Sequence, residues 1–558
     1  MKARSVPRRV RSVVLVSVWL AWLGAPGAHA QGGEPTTFAI RGAKVVPISS
    51  APLENATVVI SRGIITAVGT DVNVPPDAWV IDGKGLIVYP GLIDGLTDVG
   101  IAPAATPTGE GGSRQQPPIS HGPEDRPATT PWRNAADEVN PTDARIESWR
   151  MAGFTTVVAA PKEGFFPGQA AVLDLGGERA GDFVVKSPVA LPVSLHATGG
   201  FRSYPGSLMG GIAYVRQVWL DTNWDTQADA IYAKNPKGTA RPRYDRSDAA
   251  IADALAKHAV VLIPGNTSLQ IRRALRLQEE WKLNAVLYGA QMSYEVAPEI
   301  AARKVPVLLD LKWPEAPKDA DPEVIPSLRE LRFWDRAPSS AAALDKAGVK
   351  FAFYSGGITA PKDILPAVKK AIDAGLSPDA ALRALTLSPA EIFGVSETMG
   401  SIEKGKIANL VLTDGDLFDK KTKVKLVFVD GHKYEVREVL RPSEAPKGDM
   451  TGKWNVKFTT QQGDEEATAD LVMEPDGTLT GTISSNRGSG SVFSGWVSGD
   501  KFSFTINLEI EGDASDVVFD GSFEGSSMKG SIQALGYTID FTGTKPSAAM
   551  AAFAGGAR

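Results

Sequence analysis

The chain contains no cysteine, and only five of its 558 residues are histidine. The first absence removes disulfides, thiolate catalysis, Cys-based metal sites and a lipidated cysteine anchor together. The second leaves little imidazole for metal chemistry, because the five positions are His29, His121, His196, His258 and His432. A basic balance is lacking too: the formal net charge is −5, which argues against nucleic acid as a partner. After Leu23 no apolar run is long enough to span a bilayer, so no transmembrane segment is expected.

What is present begins at the N-terminus. Lys2, Arg4, Arg8, Arg9 and Arg11 precede an apolar run from Val13 to Leu23, and Ala28-His29-Ala30 supplies a small-x-small cleavage site. That pattern predicts a signal peptide over residues 1–30 and a mature, soluble protein that is periplasmic or secreted. Removing five basic residues takes the net charge to −10. Arg8-Arg9 hints at twin-arginine export and leaves the general secretory route open.

The remainder predicts three regions. Short strands at Phe38–Pro47, Ala56–Ser61, Ile64–Val68 and Trp79–Asp82, with more at Ile407–Thr413 and Val424–Val436, suggest one composite β-sandwich from residues 31–89 and 400–442. Between them, residues 90–399 alternate apolar runs with helical patterns. The runs Thr155–Ala160, Val260–Ile263, Ala285–Tyr288, Val305–Asp310 and Phe351–Tyr354 predict a parallel α/β barrel. A Pro- and Gly-rich insertion at 101–145 reads as a flexible loop. Residues 450–545 show eight short alternating strands, which predict a small all-β barrel or sandwich. Its aromatic residues Trp454, Phe493, Trp496, Phe502, Phe519 and Phe541 read as a core or as the lining of an apolar ligand site.

Specific motifs narrow the middle region. Val88-Tyr89-Pro90-Gly91-Leu92-Ile93-Asp94 resembles the entry to the first barrel strand of the amidohydrolase superfamily, near its imidazolonepropionase-like branch. Gly153-Phe154-Thr155-Thr156-Val157, Ile271 to Leu277, Ala380 to Thr386 and Gly400 to Leu410 reinforce the resemblance, with Asn409 where an Asp is usual. The resemblance implies a (β/α)8 TIM-type barrel with a composite β-sandwich and hydrolysis of non-peptide carbon–nitrogen bonds at the strand ends. It also implies one or two divalent metals, held largely by histidines, and a proton-moving Asp on the eighth strand.

Those ligand positions are filled otherwise. A His-x-His pair is expected at 96 and 98, where Leu96 and Asp98 stand. The fifth-strand ligand falls at Pro264, the sixth-strand ligand at Gly289, and the eighth-strand Asp at Gly356. Hence no cofactor is expected, and the metal-dependent mechanism is in doubt. Lys186, a conceivable carboxylated bridge, reads as a strand-end lysine.

The remaining candidates are His196, Asp94, Asp98, Lys162, Glu163 and Asp310. Asp94 and Asp98 could bind a hard cation, or cap a turn and sit solvated in the barrel mouth. Lys162 and Glu163 could pair with each other at the mouth, and Ser355 lacks an evident base. His121, His258 and His432 read as surface or loop residues.

Two functions stay open. One is a degenerate, non-catalytic member that binds a small molecule in its barrel mouth, or that acts as a scaffold in a homo-oligomer or beside an intact relative. The other is a C–N hydrolase for a cyclic amide or dipeptide-like substrate, using a non-standard site and zinc or another divalent metal. In a third possibility the terminal β-domain carries the function by binding a partner.

Overall fold

The computed structural model describes residues 36–101, 126, 128–143, 145–195, 205–257, 259–316, 325–436, 444–460, 463–474, 477–485, 488–510, 513–534 and 537–545. The expected signal peptide, most of the insertion, and the histidines at 121, 196 and 258 lie outside the described residues.

Glycine and Asn/Asp turns punctuate the first strands: β1 (Thr37–Val45), β2 (Leu53–Ser61), β3 (Ile64–Gly69), β4 (Trp79–Asp82) and β5 (Ile87–Pro90). The second sheet holds β6 (Leu92–Thr97), β7 (Phe154–Ala159), β8 (Ala170–Asp174), β9 (Val184–Pro192), β10 (Val260–Gly265), β11 (Ala285–Gly289), β12 (Val307–Asp310) and β13 (Phe351–Tyr354), in that spatial order. Around it lie α1 (Arg145–Met151), α2 (Ala180–Phe183), α3 (Leu208–Lys234), α4 (Arg246–Ala256), α5 (Ser268–Trp281) and later helices.

This is a TIM-like barrel with one departure from the expected (β/α)8 pattern. β8 runs antiparallel to both neighbours, β7 and β9. A parallel return needs a crossover of a dozen or more residues, and the connection 160–169 is too short to carry one. The chain therefore turns back as a hairpin.

Fully apolar strands need a buried surface on both faces. One face of the barrel strands supplies Val158, Val172, Ala190, Leu262, Val286, Leu308 and Ala352 to the barrel interior. The other, with Val157, Val261, Leu287, Leu309 and Phe353, packs on the surrounding helices.

β6 and β13 meet at a seam. A Cβ on Gly95 would lie 2.7 Å from the Phe353 carbonyl oxygen, so only glycine lets these strands approach. Just above, the Ser355 N–H donates to Asp94 Oδ1 at 2.9 Å, so a side chain bridges the junction.

Three further strands, β14 (Leu410–Thr413), β15 (Val424–Val429) and β16 (His432–Glu435), return to the first sheet. β14 pairs antiparallel with β5, Leu410 opposite Pro90 and Thr413 opposite Ile87. Strands from both sides of the barrel thus share one sheet, β16-β15-β14-β5-β1-β2-β3.

The described part of the insertion, 128–143, is ordered against the barrel, unlike the flexible loop expected. Thr129 bridges Phe166, Asn134 bridges Gln169, and Ile101 bridges Val139, while Ala135 is fully buried. Its backbone groups find partners outside the segment, as in the bonds from Thr130 to Phe166 and from Ala135 to Gln169.

The final strands β17 to β24, from Gly452–Thr460 to Tyr537–Thr544, close into an antiparallel barrel. Trp454, Phe502, Phe504, Phe519 and Phe541 fill its interior, with Phe504 and Phe519 stacked at 4.8 Å. Trp496 is half-buried, and the side chain of Phe493 lies outside the description. Among the described residues no helix is long and apolar enough to cross a membrane.

Candidate functional site

In a barrel of this kind the strands' C-terminal ends form the site-bearing face. Side-chain alternation sets what points into it. Val286 and Leu308 face the barrel interior while Leu287 and Leu309 face the helices, which brings Tyr288 and Asp310 inward at the top. The same count from Leu262 and Ala352 brings in Pro264 and Tyr354. Tyr288 Oη donates to the Val193 carbonyl at 3.0 Å. Tyr354 Oη donates to Asp310 Oδ2 at 3.4 Å. Above these side chains remains a cavity of about 240 Å³, lined by Leu96, Lys162, Val193, Tyr288, Tyr354 and Gly357 among others.

The sequence candidates separate into pairings rather than converging. Asp94, only 1% exposed, accepts from the Ser355 N–H and from Trp149 Nε1 at 3.2 Å. Burial pushes its carboxyl up, opposed by those hydrogen bonds. Asp98 is ion-paired, not solvated as the sequence suggested: Arg145 Nη1 and Lys162 Nζ each lie 3.0 Å from its Oδ1. Burial alone would raise its carboxyl, but the hydrogen bonds and charges of Lys162 and Arg145 hold it below the usual carboxylate range. Lys162 therefore pairs with Asp98 and not, as expected, with Glu163, which is exposed. His196 lies outside the described residues.

Lys162 is the candidate that lines the cavity, and Asp310 lies behind Tyr354 at the strand ends. Asp310 Oδ1 accepts from the Lys312 N–H at 2.8 Å. Burial pushes its carboxyl up to about 6, with the nearby charge of Asp94 adding to the rise. Its neighbour Tyr354 is pushed far above the usual phenol range by burial and then by Asp310. Ser355 commits both its backbone N–H and its side chain to Asp94 and is buried at the seam.

The expected metal positions can be placed one by one. Leu96 packs against the barrel interior and lines the cavity. A register irregularity between Asp94 and Thr97 breaks the alternation there, so Leu96 and Asp98 do not form a pair aimed at one point. Pro264, next to last in β10, offers no side-chain donor. Gly289 ends β11 with no side chain, and the inward-facing position next to it is Tyr288. Gly356 has φ +65°, and a Cβ there would fall 1.8 Å from Asp310 Oδ1. The carboxylate of Asp310 occupies the space a side chain at 356 would need.

Among the described residues no three His, Asp or Glu side chains are arranged to hold a metal ion. The donor set explains why: Asp94 and Asp98 spend their oxygens on N–H donors, and Asp310 remains alone beside two phenols. Zinc sites of the hydrolytic kind use three protein ligands, mostly imidazole. The described residues do not fit such a metal.

Sequence reasoning missed a polar chain on the same face. Asn266 Nδ2 donates to Gln291 Oε1 at 3.3 Å, and Gln291 Nε2 donates to the Lys312 carbonyl at 2.6 Å. Lys312 Nζ in turn reaches the Gly357 carbonyl at 3.2 Å. These residues tie the loops after β10, β11, β12 and β13 together. The signal available was Asn-Thr and Gln directly after strand-like runs, the positions that face the mouth.

Two other singled-out residues lie away from the mouth. Lys186 donates to the carbonyls of Phe393 and Gly394, at 3.3 and 3.0 Å, ending a helix rather than bridging ions. Asn409 donates to Asp174 Oδ1 at 2.9 Å, and Thr156 Oγ1 donates to the same oxygen at 2.6 Å. Burial pushes Asp174 up to about 7, with Asp430 adding repulsion. An Asp at 409 would set two carboxylates against each other, which accounts for the Asn.

The amidohydrolase family model matches residues 335–434. An amidohydrolase from Thermotoga maritima is 25% identical, with a TM-score of 0.58 over 71% of this chain and 100% of that one. A zinc-bound adenosine deaminase from Xanthomonas campestris is 16% identical over 71% and 92%, at a TM-score of 0.40. Atrazine chlorohydrolase from Arthrobacter aurescens, also with zinc, is 18% identical over 73% and 97%, at 0.42. No curated protein matches the chain.

Proposed function

Because the chain belongs to the amidohydrolase superfamily, we propose that its barrel mouth is a metal-independent pocket for a small molecule, descended from a hydrolase centre. The observation that carries this is the top layer of the barrel, where Pro264, Tyr288, Asp310 and Tyr354 point inward and Asp98 is neutralised by Arg145 and Lys162. A ligand of the cavity's size meets aromatic and aliphatic walls with Lys162 on the rim, the balance of apolar lining and few polar groups usual for small-molecule pockets.

The wider reading divides the protein into an exported mature chain with a composite sandwich, residues 31–89 with 400–442, a barrel over 90–399, and a terminal β-domain over 450–545. The paired β5 and β14 support the composite flank. The residues before Gln31 support export to the periplasm or beyond.

Elemental mass spectrometry of the purified mature protein, after exposure to Zn²⁺, Mn²⁺ and Ca²⁺, tests the reading. Folded protein without stoichiometric metal is expected. One metal per chain would overturn it.

A second reading, a C–N hydrolase on a non-standard site, has one observation in its favour: a carboxyl near 6 at the strand ends, within reach of a phenol and flanked by Lys312. Groups titrating near the working pH suit proton transfer. Hydrolysis of cyclic amides or dipeptides that vanishes in Asp310→Asn would establish it.

A further inference from the structure

The outer face of α3 carries four exposed large apolar residues. This helix runs 27 residues, and its inner side is fixed by Gly211, Val215, Val218, Trp219 and Thr222. Trp219 stacks on Trp281 of α5 at 5.3 Å, and Thr222 Oγ1 donates to Asp248 of α4 at 2.8 Å. A surface helix with its apolar stripe so employed carries polar residues opposite. Here the opposite side carries Met209, Leu220, Trp224 and Ile231, which are 82%, 56%, 68% and 63% exposed. At 100° per residue these four fall within an arc of about 60°. Asp221 lies about 90° from the centre of the stripe, and Asp225 and Asp229 lie further round the helix, so no acid interrupts it.

The central part of the stripe, from Ala213 to Ile231, also matches itself when reversed, while Met209 falls opposite Asn235 at the helix end. Reversed about Thr222, Trp224 falls opposite Leu220, Gln227 opposite Gln217, and Ile231 opposite Ala213. Laid against a second α3 running the other way, large residues meet smaller ones and amide meets amide. A two-fold contact requires such self-complementarity, since one patch must serve both partners. An unrelated partner imposes no such condition.

The area agrees. The four exposed side chains offer on the order of 500 Å² of apolar surface per copy, against about 800 Å² per partner in a standard interface. The groove beside them, about 420 Å³ between α3 and α5 and bordered by Leu220 and Trp281, extends the contact.

We propose that α3 is the two-fold interface of a homodimer, with the two helices antiparallel and crossing at the level of Thr222. The occupant of the stripe is a second copy of this chain, held chiefly by Trp224 and Leu220.

Sedimentation equilibrium of the full mature chain at micromolar concentration reads this directly. The parent protein and the control Leu328→Glu, an exposed apolar position elsewhere, are expected to be dimers. Trp224→Glu is expected to sediment as a monomer with an unchanged circular dichroism spectrum. A monomeric parent, or a Trp224→Glu protein that still dimerises, overturns the proposal. Should Trp224→Glu fail to fold, Gln217→Cys combined with Gln227→Cys keeps the question open to answer. In a chain otherwise free of cysteine, mild oxidation should give a covalent dimer. Monomer or extended polymer on a non-reducing gel overturns the antiparallel arrangement.

Discussion

Replacing Gly356 by alanine should be far more damaging than its position in a loop suggests. Its φ of +65° lies in the left-handed region, where a Cβ costs about 1 kcal/mol. That Cβ would lie 1.8 Å from Asp310 Oδ1 and 2.4 Å from its Cγ. The carboxylate can escape only by giving up the Lys312 N–H and Tyr354 Oη, and overpacking of this kind costs about 1–3 kcal/mol. The expected loss for Gly356→Ala is about 3 kcal/mol, read as a lower urea or thermal midpoint. In an Asp310→Ala background the steric part should vanish, leaving only the backbone cost. The double-mutant cycle should therefore show a coupling of about 1–3 kcal/mol. A Gly356→Ala protein as stable as the parent, or one not relieved by Asp310→Ala, would refute the claim that Asp310 fills the space of residue 356. The same logic says that Gly356→Asp cannot restore the family's eighth-strand carboxylate while Asp310 is present.

Burial raises Asp174 to about 7 in the folded state, so its neutral form is favoured there. Its contribution is full below about pH 4 and is lost as pH rises toward 7, amounting to about 4 kcal/mol at most. Asp174→Asn keeps an acceptor for Thr156 and Asn409, so it should melt higher than the parent at pH 8 and lose that pH dependence. Asn409→Asp should instead melt lower at pH 8 than at pH 5. Asp94→Ala strands the Ser355 N–H and Trp149 Nε1 at the barrel seam and should cost about 3 kcal/mol or more in chemical unfolding; a loss under about 1 kcal/mol would show that the seam does not depend on it. By contrast, Lys162→Ala removes only a part-exposed ion pair to Asp98 and should change stability by less than about 1 kcal/mol, less still at high salt.

Much of the architecture was legible because its strands are apolar runs bounded by Gly, Pro and polar residues. Val260–Ile263, Ala285–Tyr288 and Phe351–Tyr354 appear nearly as read, and the eight terminal strands from Gly452 to Thr544 agree within a few residues. The phase of an all-apolar strand is a different matter. Ala285 to Tyr288 offers no polar residue to mark its outer face, so the inward end could not be told apart from Gly289. Antiparallel β8 was hidden because hydrophobicity records burial and not direction. At the site, the partners of Asp98 and Asp94 lie 47 and 261 residues away, and no local pattern reveals them. The missing imidazoles, in contrast, were plain from a count.

The pairing of β5 with β14 has a consequence for the protein's birth. Ile87 to Pro90 leave the ribosome early, with Val88 and Tyr89 destined for burial. The strand that covers their free edge, Leu410 to Thr413, is made only after the whole barrel has been translated. For that interval the nascent chain carries an open, apolar ladder edge, the kind of template on which other chains aggregate. Holding chaperones should therefore matter most to this protein before its last barrel helix is finished, and a truncation just short of Leu410 should be insoluble even though every barrel strand is present.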